Sequence, residues 1–192
     1  MGALRPFFVV RMGFLSAFFI GRKLMHERIL NMARAAIIAA LYVVLTHFQN
    51  ILLPGSASWA IQCRLSETLC ILAFFTPAAI PGLTIGCLVF NITFAAALPL
   101  DWVLGSLATL TAAAAMWRLR SVKCFGLPVP GLLMPALTNA FLVGWELTLF
   151  IGGGFWINAL YVAIGELIVL LIPGSLLYVT MKHRKLDTLL FS

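Results

Sequence analysis

The stretch LCILAFFTPAAIPGLTIGCLVFNITFAAAL, residues 69–98, contains no charged side chain, and its main interruptions are Pro77 and the pair Pro81 and Gly82. A helix crossing a bilayer needs about 20 apolar residues. At about 1.5 Å per residue, a run of about thirty overshoots one crossing. The prolines therefore divide it into two spans, the second and third of the chain, because proline removes a backbone donor and clashes with the preceding turn. The run is long and unalternating. It does not fit the alternating segments of about ten residues that build a β-barrel.

The same character extends outward in both directions. Hydrophobic residues make up 62% of the 192-residue chain and charged residues only 10%, with a mean hydropathy of +1.07. A soluble domain cannot hide that much apolar surface, so the composition specifies an all-α integral membrane protein. Before the opening stretch, residues 33–53 form a first span closed by Pro54 and Gly55. After it, residues 101–117 form a fourth. Pro128 and Pro130 suit the opening of a fifth, which runs to about residue 151. A flexible turn at Gly152, Gly153 and Gly154 leads into a sixth, residues 156–181, with a kink expected at Pro173 and Gly174. Residues 1–32 stand apart as an N-terminal extension. Their apolar part is short and broken by Arg11 and lacks a small-residue cleavage site, so it reads as an interfacial helix or as sequence upstream of a start at Met25 or Met32. Residues 182–192 form a tail.

Charge placement orients the bundle. The chain holds 13 Lys and Arg residues against 6 acids. All the cations except Arg64 fall in the segment up to Arg34, in the connector with Arg118, Arg120 and Lys123, or in the tail with Lys182, Arg184 and Lys185. Cytoplasmic segments accumulate Lys and Arg. Six spans with both termini cytoplasmic put all three clusters on one side, and the net charge of +7 reflects topology and not a nucleic-acid footprint. Arg64 is the exception, on the opposite side beside Gln62 and Glu67.

Ionisable groups in a bilayer are costly and usually face a cavity or a partner. In this topology Glu67 and Asp101 open spans two and four from outside, Glu146 lies near the outer end of span five, and Glu166 lies near the middle of span six. Asn91, Asn139 and Asn158 also fall within spans. Glu67 and Asp101 could act as helix caps, and Glu146 and Glu166 could be satisfied by bonds between helices. The functional alternative is one outward-facing pocket of carboxylates and amides, with Trp59, Trp145 and Trp156 as stacking faces. Such a pocket suits a flat, nitrogen-rich solute, cationic or neutral. Trp residues also populate membrane interfaces without any ligand. The four cysteines read as buried small hydrophobes.

Other chemistries find no support. There is no GxxxxGK[ST] loop for an ATPase, no HExxH metalloprotease signature, and no cofactor or metal motif. The chain is therefore not expected to be an enzyme, and energy would come from a gradient or a partner. In the first span, Ala35 and Ala36 stand one turn before Ala39 and Ala40. Small-xxx-small spacing lets another helix approach closely, either a neighbour within the bundle or a partner protein.

These features together resemble a known family. Ala33-Arg-Ala-Ala-Ile-Ile-Ala-Ala-Leu-Tyr-Val-Val-Leu-Thr46, Gln62-Cys-Arg-Leu-Ser-Glu67, Phe74-Phe-Thr-Pro77 with Ile80-Pro-Gly82, and Asp101-Trp-Val-Leu-Gly-Ser-Leu-Ala-Thr-Leu110 are similar to the QueT family. Its members are substrate-binding S components of energy-coupling-factor (ECF) transporters, linked to uptake of queuosine precursors. The resemblance covers about residues 33–181 and implies a six-helix bundle in a bacterial cell membrane, with loops that close over the solute. It further implies a transmembrane coupling subunit docked on Ala35, Ala36, Ala39 and Ala40, two cytoplasmic ATPase subunits, and a 7-deazaguanine solute such as preQ1 or preQ0. On that reading the solute site draws on Gln62, Arg64, Glu67, Asn91, Asp101, Asn139, Trp145, Glu146, Asn158 and Glu166. An S component for another small vitamin, or a solitary ion-coupled transporter using Glu166, are the alternatives.

Overall fold

The computed structural model describes residues 5–54, 63–94, 97–124 and 126–191, with side chains described from residue 22 onward. Every regular element among them is helical: α1 (Arg5–Leu52), a 3-10 helix (Leu65–Phe74), α2 (Ala79–Thr93), α3 (Asp101–Leu119), α4 (Val129–Leu132), α5 (Met134–Phe150), α6 (Phe155–Val169), a π-helical turn (Leu170–Gly174), α7 (Ser175–His183) and α8 (Leu186–Phe191). Among the described residues, three helical segments are long and apolar enough to cross a membrane, at Arg22–Leu52, Val129–Phe150 and Phe155–His183.

α1 runs unbroken from Arg5 for 48 residues, about 72 Å at the α-helical rise, so residues 5–32 of the expected extension continue the helix that holds the first span. It stops two residues before Pro54, whose ring disfavours a helical conformation in the residue preceding it. One expectation is corrected, for the segment ahead of Pro77. It forms a 3-10 helix of ten residues, about 20 Å long, in place of an α-helical span. Such helices seldom exceed one turn, so packing must hold this one. It touches α1, α2, α3, α6, α7 and the π-helical turn, and buries Glu67, Cys70, Ile71, Ala73 and Phe74. It is the axis on which the bundle is assembled.

Around that axis the helices pack in the order α1, α2, α3, α5, α6. The α1–α2 contact is close because it is built from small residues. A Cβ placed on Gly82 would lie 2.7 Å from the Ala35 carbonyl oxygen, and one on Gly86 would lie 3.0 Å from that of Ala39. The Ala35 and Ala39 ridge thus seats the glycine pair of α2, the internal form of small-xxx-small packing. On its outer side the same ridge, with Ala36, borders an apolar groove of about 500 Å³ completed by Pro77, Pro81 and Ile85. Ala40 is exposed. The kink expected near Pro173 is the π-helical turn, where the missing proline N–H forces a wider coil.

Members of all three cationic groups meet at one end. Lys182 of α7 and the connector residues Arg120 and Lys123 border one cavity. Arg34 of α1 stacks on Phe191 of α8, which follows α7. Arg64 sits beside Asp101, at the opposite end of α3 from Arg118 and Arg120, about 28 Å away along a helix of that length.

Candidate functional site

A 3-10 helix repeats every three residues, so side chains at i and i+3 eclipse one another. Glu67 and Cys70 consequently stand in one column, which an α-helix would fan apart by about 60°; Arg64 precedes them as the N-cap, with extended backbone. The column faces α1, where Tyr42, Thr46 and Gln49 form a second polar column at i, i+4 and i+7, all at most 3% exposed. The Tyr42 hydroxyl donates to Glu67 Oε1 at 2.6 Å, and the Cys70 thiol donates to Glu67 Oε2 at 3.0 Å. Both oxygens of Glu67 are therefore engaged. Gln49 accepts from the Leu65 backbone N–H at 2.7 Å and donates to the Cys63 carbonyl, which fixes the start of the 3-10 helix against α1.

Arg64 reaches across to α3. Its guanidinium is 3.7 Å from Asp101 Oδ1 and lies over the Phe90 ring at 5.9 Å, a favourable placement for a cation. Asp101 is not the N-cap of α3, which is Leu100, but lies in the first turn, where a carboxylate suits the macrodipole. Asn91 of α2 donates to the Asp101 backbone carbonyl at 2.8 Å. On the far side, Asn139 of α5 donates to Glu166 Oε1 of α6 at 2.8 Å, and Glu146 of α5 is fully buried. The groups share one electrostatic neighbourhood. Arg64 acts on Asp101 and Glu67, on Glu146 and on Glu166, while Glu67 repels Glu166 and Asp101 repels Glu146.

The cluster is unbalanced in two ways. It gathers one buried cation against four buried carboxylates, Glu67, Asp101, Glu146 and Glu166. Its unsatisfied atoms are also mostly acceptors. Among the described residues, both oxygens of Glu146, Glu166 Oε2 and Asn91 Oδ1 are buried without a hydrogen bond; Asp101 Oδ1 also lacks one but is ion-paired with Arg64. The Leu100 backbone N–H approaches the Glu146 carboxylate as a weak hydrogen-bond donor, outside strict hydrogen-bond geometry. Orphaned buried acceptors cost about 1–3 kcal/mol each, and more when charged. A fold tolerates several together where a donor-bearing ligand completes them.

The structure thus brings Arg64, Glu67, Asn91, Asp101, Asn139, Glu146 and Glu166 into one buried cluster. Trp145 is not part of it; it lies on the outer face of α5 with 49% exposure. Asn158 bonds Thr148 Oγ1 and the Gly152 carbonyl, both at 3.0 Å, and so ties down the α5–α6 turn, where Gly152 and Gly153 adopt the left-handed backbone that glycine tolerates. Trp156 is exposed. Gln62 and Trp59 lie outside the described residues. Tyr42, Gln49 and Cys70 were missed from the sequence, although the polar spacing in α1 was visible there. All four cysteines are free; Cys70, expected to be an inert hydrophobe, is a donor to Glu67.

Residues 32–183 match the family model described as QueT transporter. The chain belongs to the QueT transporter family. A membrane transport component of this family is not an enzyme, and a cluster of buried carboxylates on apolar helices fits a small-molecule substrate. No curated protein and no solved structure matches the chain.

Proposed function

We propose that this QueT protein is the substrate-binding S component of an ECF-type importer and captures a 7-deazaguanine, preferentially the aminomethyl base preQ1. The observation that carries this is the surplus of buried, unpartnered acceptors. A 7-deazaguanine presents a matching set of donors: the N1–H and exocyclic amino group on one edge, the pyrrole N–H on another, and in preQ1 an alkylammonium group. Glu146 and Glu166 supply the open carboxylate oxygens. One receives the guanine edge in a two-point bond, and the other faces the ammonium. Glu67, already held by Tyr42 and Cys70, contributes charge and shape. Arg64 steadies Asp101 and offers the base carbonyl a donor. The nitrile analogue preQ0 has no cation and binds less tightly.

The rest of the reading follows from orientation. Six membrane passes, counting the 3-10 helix and α2 as short ones, leave both termini and the basic end in the cytoplasm of a bacterium and the Arg64 end outside. The apolar groove beside Ala35, Ala36, Ala39 and Ala40 receives the coupling subunit, and two ATPases complete the importer. Since Ala35 and Ala39 also pack on α2, the docking role is tested at Ala36 and Ala40. Ala36→Trp with Ala40→Trp is expected to leave solute binding within about twofold and to abolish uptake in cells carrying all subunits. Uptake by cells expressing this chain alone, or uptake unaffected by the paired substitution, would count against the assignment.

A further inference from the structure

Well away from the buried acids, a second cavity of about 450 Å³ opens at the basic end of the bundle, a volume within the range of small-ligand sites. Its lining includes Arg120, Ser121, Lys123 and Lys182, with Phe75 and Tyr178. The cations come from separate segments. Arg120 caps the end of α3, Lys123 belongs to the connector that follows, and Lys182 is in the last turn of α7. Two of them are held in place. Arg120 stacks 3.7 Å from the centre of the Trp117 ring and donates to the Trp117 carbonyl at 2.7 Å. Lys182 lies 5.2 Å from the Phe75 ring centre. Among the described residues, the acid in contact with this group is Asp187, 2.6 Å from Lys182. That bond holds the Asp187 carboxyl below its ordinary range, so it stays ionised and offsets one cation of the three.

Three like charges drawn from different segments around one cavity repel each other unless an anion joins them. The surroundings say which kind. Phe75 and Tyr178 stack at 5.4 Å and give the cavity an apolar wall. On α7, the helix that carries Lys182, Leu176 and Val179 are exposed and offer a surface for hydrocarbon. Basic pockets at the ends of membrane helices bind phosphate headgroups at this depth.

We propose that this cavity is a site for the phosphate headgroup of an anionic phospholipid, with its acyl chains lying along α7. The site is independent of the solute reading. The test is native mass spectrometry of the full chain titrated with phosphatidylglycerol or phosphatidylcholine. Phosphatidylglycerol is retained selectively. Replacing Arg120, Lys123 and Lys182 together with Gln weakens its retention on the order of a hundredfold, about fivefold per cation. Asp187→Asn removes the competing acid and strengthens retention by about fivefold. That gain tests the site even if the triple variant does not fold. Equal retention of both lipids, an unchanged triple variant, or no gain in Asp187→Asn overturns the proposal. Displacement of phosphatidylglycerol by millimolar inorganic phosphate also overturns it, in favour of a soluble anion.

Discussion

Glu146→Gln separates a binding group from a structural one, because the two roles predict opposite signs for stability. The substitution keeps the shape of the side chain and removes its charge. Glu146 is fully buried, and among the described residues its carboxylate has no hydrogen bond of strict geometry, only the weak approach of the Leu100 N–H. Burying an ion costs several kcal/mol even after relaxation, and a nearby Asp101 adds repulsion. Recovering about 1–3 kcal/mol of that cost raises the melting temperature by about 2–12 °C for a chain of this size. The solute loses a charge-assisted hydrogen bond, about 1.5–3 kcal/mol, which is roughly 10- to 160-fold in Kd. Thermal melts of the detergent-purified protein, with calorimetric titration of preQ1, read both quantities. A variant that melts lower than the parent and binds preQ1 equally well would show that Glu146 is satisfied within the fold, and the reasoning would be refuted.

Tyr42→Phe deletes the donor to Glu67 and leaves a buried carboxylate oxygen unpaired, so it should lower stability by about 1.5–3 kcal/mol. Adding Glu67→Gln to that variant should restore part of the loss, and strictly additive melts would argue against the bond. Cysteine accessibility tests the orientation. Cys124 is exposed and Cys63 half-buried, whereas Cys70 and Cys87 are buried. A membrane-impermeant maleimide should label Cys63 in intact cells and Cys124 only in inverted vesicles; labelling of Cys124 from outside would reverse the topology.

The membrane class, the helix ends at Pro54 and Pro128 and the distortion at Pro173 were legible in the sequence because proline and apolar length act locally. Residues 65–74 were not. Nothing in LSETLCILAF distinguishes a 3-10 from an α-helix; contacts with six other elements decide it. That choice also governs the site, since a threefold repeat stacks Cys70 over Glu67. The acids could be found because charge inside apolar helices is conspicuous. Their partners could not be assigned from type alone. Trp145 and Asn158 carry chemistry suited to a pocket, but the rotations of α5 and α6 turn one outward and give the other to a turn. Tyr42 was hidden for the reverse reason, as an aromatic that looked at home in an apolar helix.

The most direct test is calorimetric titration of the purified full chain, without any partner subunit, with preQ1, preQ0 and guanine. The account predicts saturable one-to-one binding of preQ1, weaker binding of the uncharged preQ0, and loss of preQ1 binding when Glu146 and Glu166 are both changed to Gln. Absence of saturable binding for all three bases, or tighter binding of preQ0 than of preQ1, would contradict it.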